Sequence, residues 1–162
     1  MPRIEAMRSA FKVVVRCRPQ LPEEKNDKCC RVSFGAKDEG RVFVSGKGQE
    51  DTRCFTFDRV LPPESTQENV MQEVVPMIDH VLNGFHATVF AYGQTGSGKT
   101  YTVEGIDYLR HGSGNPRPKF NTPPRQHGII PRLIQLVFDR ARQMQLQDEH
   151  LRFNFSCSFY QI

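Results

Sequence analysis

At 162 residues, with 38% hydrophobic and 25% charged side chains and a net charge of +4, the chain has the makeup of one soluble globular domain or part of one. Its five cysteines (Cys17, Cys29, Cys30, Cys54, Cys157) are an odd number with no CxxC pair and no histidine at zinc spacing, which argues against a disulfide framework or metal site and for reduced thiols in a cytosolic protein. The opening MPRIEAMRSAFK lacks an apolar signal region and no uncharged stretch approaches the roughly 20 residues of a bilayer span, so neither secretion nor membrane insertion is expected.

After an N-terminal extension, residues 1–10, the run FKVVVRCR alternates Phe11, Val13, Val15 and Cys17 with Lys12, Val14, Arg16 and Arg18, which predicts a strand ending at Pro19. RVSFGAK and RVFVSG are two strand-like runs joined by Asp38-Glu39-Gly40, a hairpin signal, and Cys54 to Asp58 (CFTFD) adds a further short strand. The period then changes. Val70, Val74, Met77, Ile78, Val81 and Leu82 fall at helical spacing, with Ser65 and Glu68 as a capping box, Gly84 as the stop and Pro76 as the source of a kink. Phe85 to Ala91 (FHATVFA) is a β-rich apolar run of buried-strand length.

From Gly105 to Gln126 the abundance of Gly, Pro and Asn predicts a long irregular loop. Helical spacing resumes with Ile130, Leu133, Ile134, Val137, Phe138 and Ala141, and Pro131 suits the first turn. Leu136 to Asp139 has the apolar-run-then-aspartate form of a Mg²⁺-binding strand, but it sits inside that helical pattern, so Asp139 reads as an exposed helix residue. Between Arg110 and Arg142 there are seven basic side chains against one acidic; without interleaved aromatics these read as a solvated loop and helix face rather than a nucleic-acid surface. Finally Leu151, Phe153, Phe155, Cys157 and Phe159 alternate with Arg152, Asn154, Ser156, Ser158 and Tyr160, a last strand.

Between the apolar run at Phe85 and the next helix lies an excess of glycine that no simple turn needs. Gly93-Gln94-Thr95-Gly96-Ser97-Gly98-Lys99-Thr100 matches GxxxxGK[ST], the phosphate-binding loop, in its required context of strand before and helix after. The glycines let backbone N–H groups face phosphate oxygens, Lys99 supplies a point charge for the β- and γ-phosphates, and Thr100 places a hydroxyl on Mg²⁺. A helix starting near Gly98 aims its positive end at the same anion.

The loop with its flanks, VFAYGQTGSGKTYTVEG, resembles the nucleotide-binding segment of the kinesin motor domain. The resemblance extends to Arg16-Cys17-Arg18-Pro19 (RxRP), to Phe57-Asp58-Arg59-Val60, Thr66-Gln67-Glu68 and Val81-Leu82-Asn83-Gly84, to Gly128-Ile129-Ile130-Pro131-Arg132 (GIIPR), and to the strand from Phe155 to Ile162. It therefore covers residues 11–162, as a partial motor domain. Val103 in place of methionine, Leu61 in place of phenylalanine, and Gln161 depart from the family pattern, and none belongs to the phosphate loop. The resemblance implies a P-loop NTPase motor core of α/β class, a mixed central sheet with helices on both faces, with the strands ending at Arg18, beginning at Phe85 and ending at Ile162 all in that sheet. It implies ATP and Mg²⁺ as cofactors, with Gly93, Gln94, Thr95, Gly96, Ser97, Gly98, Lys99 and Thr100 on the phosphates and metal. Arg16, Arg18 and Pro19 would flank the adenine, with Tyr101 on its other side. Microtubules (tubulin) are the implied partner and the microtubule cytoskeleton of the cytoplasm the implied location; no nucleic acid and no membrane partner is expected.

The family's two switch segments, NxxSSRSH and DLAGSE, occur nowhere in these 162 residues. The expectation is thus the ATP-binding part of a microtubule-based motor ATPase, with no catalytic residue assigned. The alternative is a nucleotide-binding or regulatory module that does not hydrolyse ATP. On this reading the last strand lacks covering elements, and the isolated chain is expected to aggregate and to bind ATP weakly.

Overall fold

The computed structural model describes residues 11–24, 30–35, 39–46, 52–105, 108–109, 117–118, 123–158 and 160. The extension at 1–10, Asp38 of the hairpin turn, most of the loop between 106 and 122, and Phe159 and residues 161–162 of the last expected strand lie outside these. The chain forms two compact units, Met1–Val70 and Met71–Ile162.

In the first unit, β1 (Val14–Arg16) pairs in parallel with β5 (Arg59–Leu61), Val15 lying opposite Val60. The Cys17 N–H extends this ladder to the Leu61 carbonyl, and the Asp58 carboxylate takes the Val13 N–H at 2.7 Å. Between them β2 (Cys30–Phe34), β3 (Arg41–Gly46) and β4 (Thr52–Thr56) make an antiparallel meander in the order β2-β3-β4. The hairpin and the CFTFD strand are thus found, shifted by one or two residues. Val42, Val60, Leu61 and Val70 are buried here, whereas of the alternating apolar positions expected in the first strand Phe11 and Val13 are exposed and Val15 and Cys17 only half-buried.

Helix α1 (Gln67–Leu82) follows, and its apolar stripe of Val70, Val74 and Ile78 is buried together with Met71, which the helical spacing had not marked. Its N-terminus corrects the expected cap. The box is Thr66 and Asn69 rather than Ser65 and Glu68: the Thr66 N–H donates to Asn69 Oδ1 at 2.9 Å, and the Asn69 N–H donates to Thr66 Oγ1 at 3.3 Å. Asn at the third helical position substitutes for the usual Glu because its carbonyl oxygen accepts from the same N–H. Thr66→Ala is expected to lower stability by about 1 kcal/mol in denaturant melts, and Ser65→Ala by much less; equal effects would return the cap to Ser65.

The helix runs unbroken through Pro76. It ends as expected at Gly84, whose φ is 92°: the Gly84 N–H reaches the Val81 carbonyl and the Phe85 N–H the His80 carbonyl. This paired closure needs a left-handed residue, and the Phe85 ring packs edge-on against His80 at 6.2 Å.

The second unit departs most from expectation. Phe85–Ala91 enters no strand ladder, and neither do Leu151–Ser158; both are largely exposed, with Phe90 80% accessible. Alternation and β propensity record how a strand would face its surroundings, but a strand exists only where a neighbouring backbone takes its N–H and C=O groups. Two expected members of a central sheet are therefore unpaired here. Helix α3 (Ile129–Gln147) forms where predicted, with Pro131 in its first turn, and buries Ile129 and Ala141. Of the rest of its predicted stripe, Leu133 and Val137 are half-buried while Ile130, Ile134 and Phe138 are exposed over about half their surface, and Phe138 packs on Phe155 at 4.4 Å. Asp139 is exposed on α3 and accepts from Gln135 Nε2, as expected of a helix residue. Within the irregular loop, Tyr108–Leu109 (β6) and Arg117–Pro118 (β7) form a two-residue antiparallel pair. None of the described helices is long and apolar enough to cross a membrane.

Candidate functional site

The glycine-rich loop is built within the second unit. Gly93, Gly96 and Gly98 have φ of 155°, 80° and 95°, so the backbone turns through the conformations that side-chain-bearing residues avoid. The Ser97 N–H closes the turn on the Gln94 carbonyl at 3.1 Å. At Gly93 the constraint is also steric, because a Cβ there would stand 2.5 Å from Ser97 Oγ. Gly98 then starts helix α2 (Lys99–Val103), where the motif expects a helix, although at five residues its dipole is small. The lysine charge therefore outweighs the helix end in the electrostatics of the loop.

Lys99 is folded over the loop: its ammonium donates to the Gly93 carbonyl at 2.8 Å and to the Gln94 carbonyl at 2.9 Å. An ammonium carries three donors in total. Thr100 and Tyr101 follow on α2 and both are exposed, the Tyr101 ring at 44%, so it is not spent on core packing. The cradle fits a polyphosphate: a backbone turn that a Cβ would obstruct, a cation at its rim and a hydroxyl one residue on. For the metal, no cluster of three His, Cys, Asp or Glu among the described residues could hold an ion. The Thr100 hydroxyl is a hard oxygen donor of the kind Mg²⁺ takes when it is carried on phosphate oxygens.

Arg16, Arg18 and Pro19 belong to the first unit. The Arg16 guanidinium donates to Gln67 Oε1 at 2.9 Å and to the Ser65 carbonyl at 3.5 Å, tying β1 to the start of α1 through a glutamine only 3% exposed. Arg18 makes a two-pronged ion pair with Glu24, whose carboxylate also accepts the Leu21 N–H at 2.9 Å. The hydrogen bonds from Arg18, and next that from Leu21, hold the Glu24 carboxyl down to about 2. Because the folded value lies below the ordinary one, the pair's contribution is complete above the usual carboxylate range and is lost as pH falls toward 2. Cys17, half-buried after β1, has its thiol pKa pushed up by that burial.

Three features escaped the sequence. Glu24 lies six residues from its partner across a proline turn, a spacing without periodic signal. Arg132, counted there among solvated basic residues, donates to the carbonyls of His127 (2.7 Å), Pro124 (3.1 Å) and Arg125 (3.2 Å) and so fastens the turn that leads into α3. Gly105 and Gly128 cross backbone to backbone, the Gly128 N–H donating to the Glu104 carbonyl at 3.1 Å. A proline-rich turn before a helix, and a glycine just after α2 and just before α3, were the available signals.

An α/β chain in which an extended apolar run leads through a glycine loop into a helix opened by a lysine over that loop is of the phosphate-loop class. Among known proteins a family model described as the kinesin motor domain matches residues 16–162. The chain belongs to the kinesin motor domain family. It is 32% identical over 177 aligned residues to the human kinesin-like protein KIFC1, covering 99% of this chain and 24% of that protein. Its structure is similar to that of a fast kinesin, studied for its ATPase mechanism and interactions with microtubules, with a TM-score of 0.65 and 33% identity. That match covers 82% of this chain and 33% of the other. It is equally similar, at 0.65 and 28% identity, to Drosophila NOD docked with bovine tubulin into a map of nucleotide-free NOD on the microtubule, covering 87% of this chain and 41% of that one. The chain thus spans well under half the length of these relatives.

Proposed function

We propose that this chain is the ATP-binding part of a microtubule-based motor, holding Mg·ATP by its phosphates on Gly93 to Thr100. The observation that supports this most is the loop itself: three glycines at positive φ beside a lysine whose ammonium lies on the loop carbonyls. When bound, Mg²⁺ would neutralise phosphate charge with the Thr100 hydroxyl among its ligands. By family resemblance Arg16, Arg18 and Pro19, and separately Tyr101, are the residues proposed for the adenine, a flat apolar group suited to proline and tyrosine rings. Microtubules are the proposed partner, on the strength of family membership and of relatives studied in that setting.

A second reading is a module that binds nucleotide on the same loop without hydrolysing it. Titration with a fluorescent ATP analogue tests the common part: Mg²⁺-dependent binding is expected, with the Mg²⁺ dependence reduced in Thr100→Ala. Absence of any nucleotide binding would reject both readings. Microtubule-stimulated phosphate release by the 162-residue chain would reject the second alone.

A further inference from the structure

The three-stranded meander of the first unit ends in an open edge. Strand β4 lies at one side of the order β2-β3-β4, and its residues, Thr52 to Thr56, are all exposed. The ladder fixes which of its backbone groups face outward. The Phe57 N–H donates to the Gly40 carbonyl at 2.8 Å, and the same register sets Phe55 opposite Val42 and Arg53 opposite Val44. Hydrogen-bonded pairs alternate along an antiparallel ladder, so Arg53 and Phe55 bond to β3 while Thr52, Cys54 and Thr56 aim their N–H and C=O groups away from it. Natural edges are blunted by proline, a bulge or several charges. Strand β4 pairs without a bulge from Thr52 to Thr56, has no proline, and carries Arg53 as its one charge.

The outward-facing set is symmetric about its middle member. An antiparallel copy of the same strand, related by a two-fold axis at Cys54, sets Cys54 opposite Cys54 and Thr52 opposite Thr56, and each such pair exchanges two backbone hydrogen bonds. Every outward N–H of β4 then meets an acceptor. Between these pairs Arg53 stands opposite Phe55 of the second copy, cation beside ring, and no two like charges face each other. Phe55 is 45% exposed although its neighbour across the ladder, Val42, is buried, so this face has apolar surface left to cover. We propose that the β4 edge is a self-association surface, on which a second copy of this chain docks by antiparallel β4–β4 pairing centred on Cys54. The pairing uses the first unit alone and is independent of the glycine loop.

A pairing this short is a small interface, so sedimentation velocity of the full chain is expected to show a weak dimer, half dissociated between about 10 µM and about 1 mM. Hydrogen exchange reads the register. Amide protection at Thr52, Cys54 and Thr56 is expected to rise about threefold or more across that range, while Arg53 and Phe55, already bonded to β3, stay unchanged. Cys54→Ala keeps the N–H and is expected to leave dimer affinity within about threefold. Cys54→Pro removes the two bonds at the axis, at a position where an edge strand tolerates proline because the N–H faces out, and is expected to weaken the dimer about tenfold or more. If Cys54→Pro does not fold, the amide pattern of the unsubstituted chain decides alone. A chain that stays monomeric up to about 1 mM overturns the proposal. So does protection that rises on all β4 amides alike or on Cys30, Val32 and Phe34 of β2 instead, and so does equal dimer affinity in Cys54→Pro and Cys54→Ala. Species larger than a dimer without the alternating protection overturn it as well.

Discussion

Lys99→Ala is expected to abolish measurable ATP binding, with an affinity loss of about 100-fold or more. A charge-assisted hydrogen bond from the ammonium to phosphate is worth about 1.5–3 kcal/mol, and that bond together with the attraction of the point charge for the remaining phosphate charge accounts for the factor. The same substitution removes the bonds from Lys99 Nζ to the Gly93 and Gln94 carbonyls, which also define the loop. Those carbonyls lie at a partly exposed site where water replaces the lysine, so the loss of fold stability is expected to stay near 1 kcal/mol. The two effects are read separately, binding by titration and stability by a denaturant melt. Lys99→Arg is not expected to rescue binding, because a planar guanidinium fork does not occupy the place of a compact ammonium. Binding within tenfold of the unsubstituted chain in Lys99→Ala would reject the phosphate-loop assignment.

The parts of this architecture that the sequence displays are those fixed within a few residues of themselves. The β2–β3 hairpin, both long helices and the Gly84 closure each follow from a period or a terminal residue, and the loop glycines from a motif whose spacing is itself the chemistry. The shift of the α1 cap from Ser65 to Thr66 turns on which of two adjacent hydroxyls meets the Asn69 N–H, which composition does not distinguish. Parallel pairing of β1 with β5 is set by contacts across more than forty residues of chain, and three-residue strands carry too little pattern to announce it. Phe85–Ala91 reads as a strand from its β-rich apolar run and Leu151–Ser158 from its alternation, and the resemblance places both in the sheet. Alternation gives the face a strand would bury, and it is silent on whether a neighbour is there to pair with it. The same holds for Ile130, Ile134 and Phe138, whose helical spacing is genuine although half their surface meets water. Arg132 shows a further limit: a charge count cannot tell a solvated arginine from one whose Nε and Nη2 donate to backbone carbonyls.

Gly105→Ala and Gly128→Ala are each expected to lower stability by about 3 kcal/mol or more, a large share of the roughly 5–15 kcal/mol that holds a folded domain together. A Cβ on Gly105 would lie 2.1 Å from the Gln126 carbonyl oxygen and 2.2 Å from the Gly128 nitrogen; one on Gly128 would lie 2.6 Å from the Val103 carbonyl carbon and oxygen. All of these are backbone atoms, so no side chain can swing aside to relieve the overlap. Gly105 carries a second cost, because its φ of 74° adds about 1–2 kcal/mol for any residue with a Cβ. The crossing joins the end of α2 to the start of α3, and α2 is only five residues long with Lys99 and Thr100 at its other end. Displacing the crossing therefore shifts the helix that presents the lysine and the threonine, so nucleotide affinity is expected to fall along with stability. Gly84→Ala is the control: its φ of 92° is likewise left-handed, but a Cβ there meets nothing within 4 Å. It is expected to cost about 1 kcal/mol and to leave nucleotide binding unchanged. Because Gly105 and Gly128 share one contact, the double substitution is expected to cost clearly less than the two single losses added together. Denaturant melts within about 0.5 kcal/mol of the unsubstituted chain for either single variant, or full additivity in the double, would mean that the two backbones do not meet at this crossing.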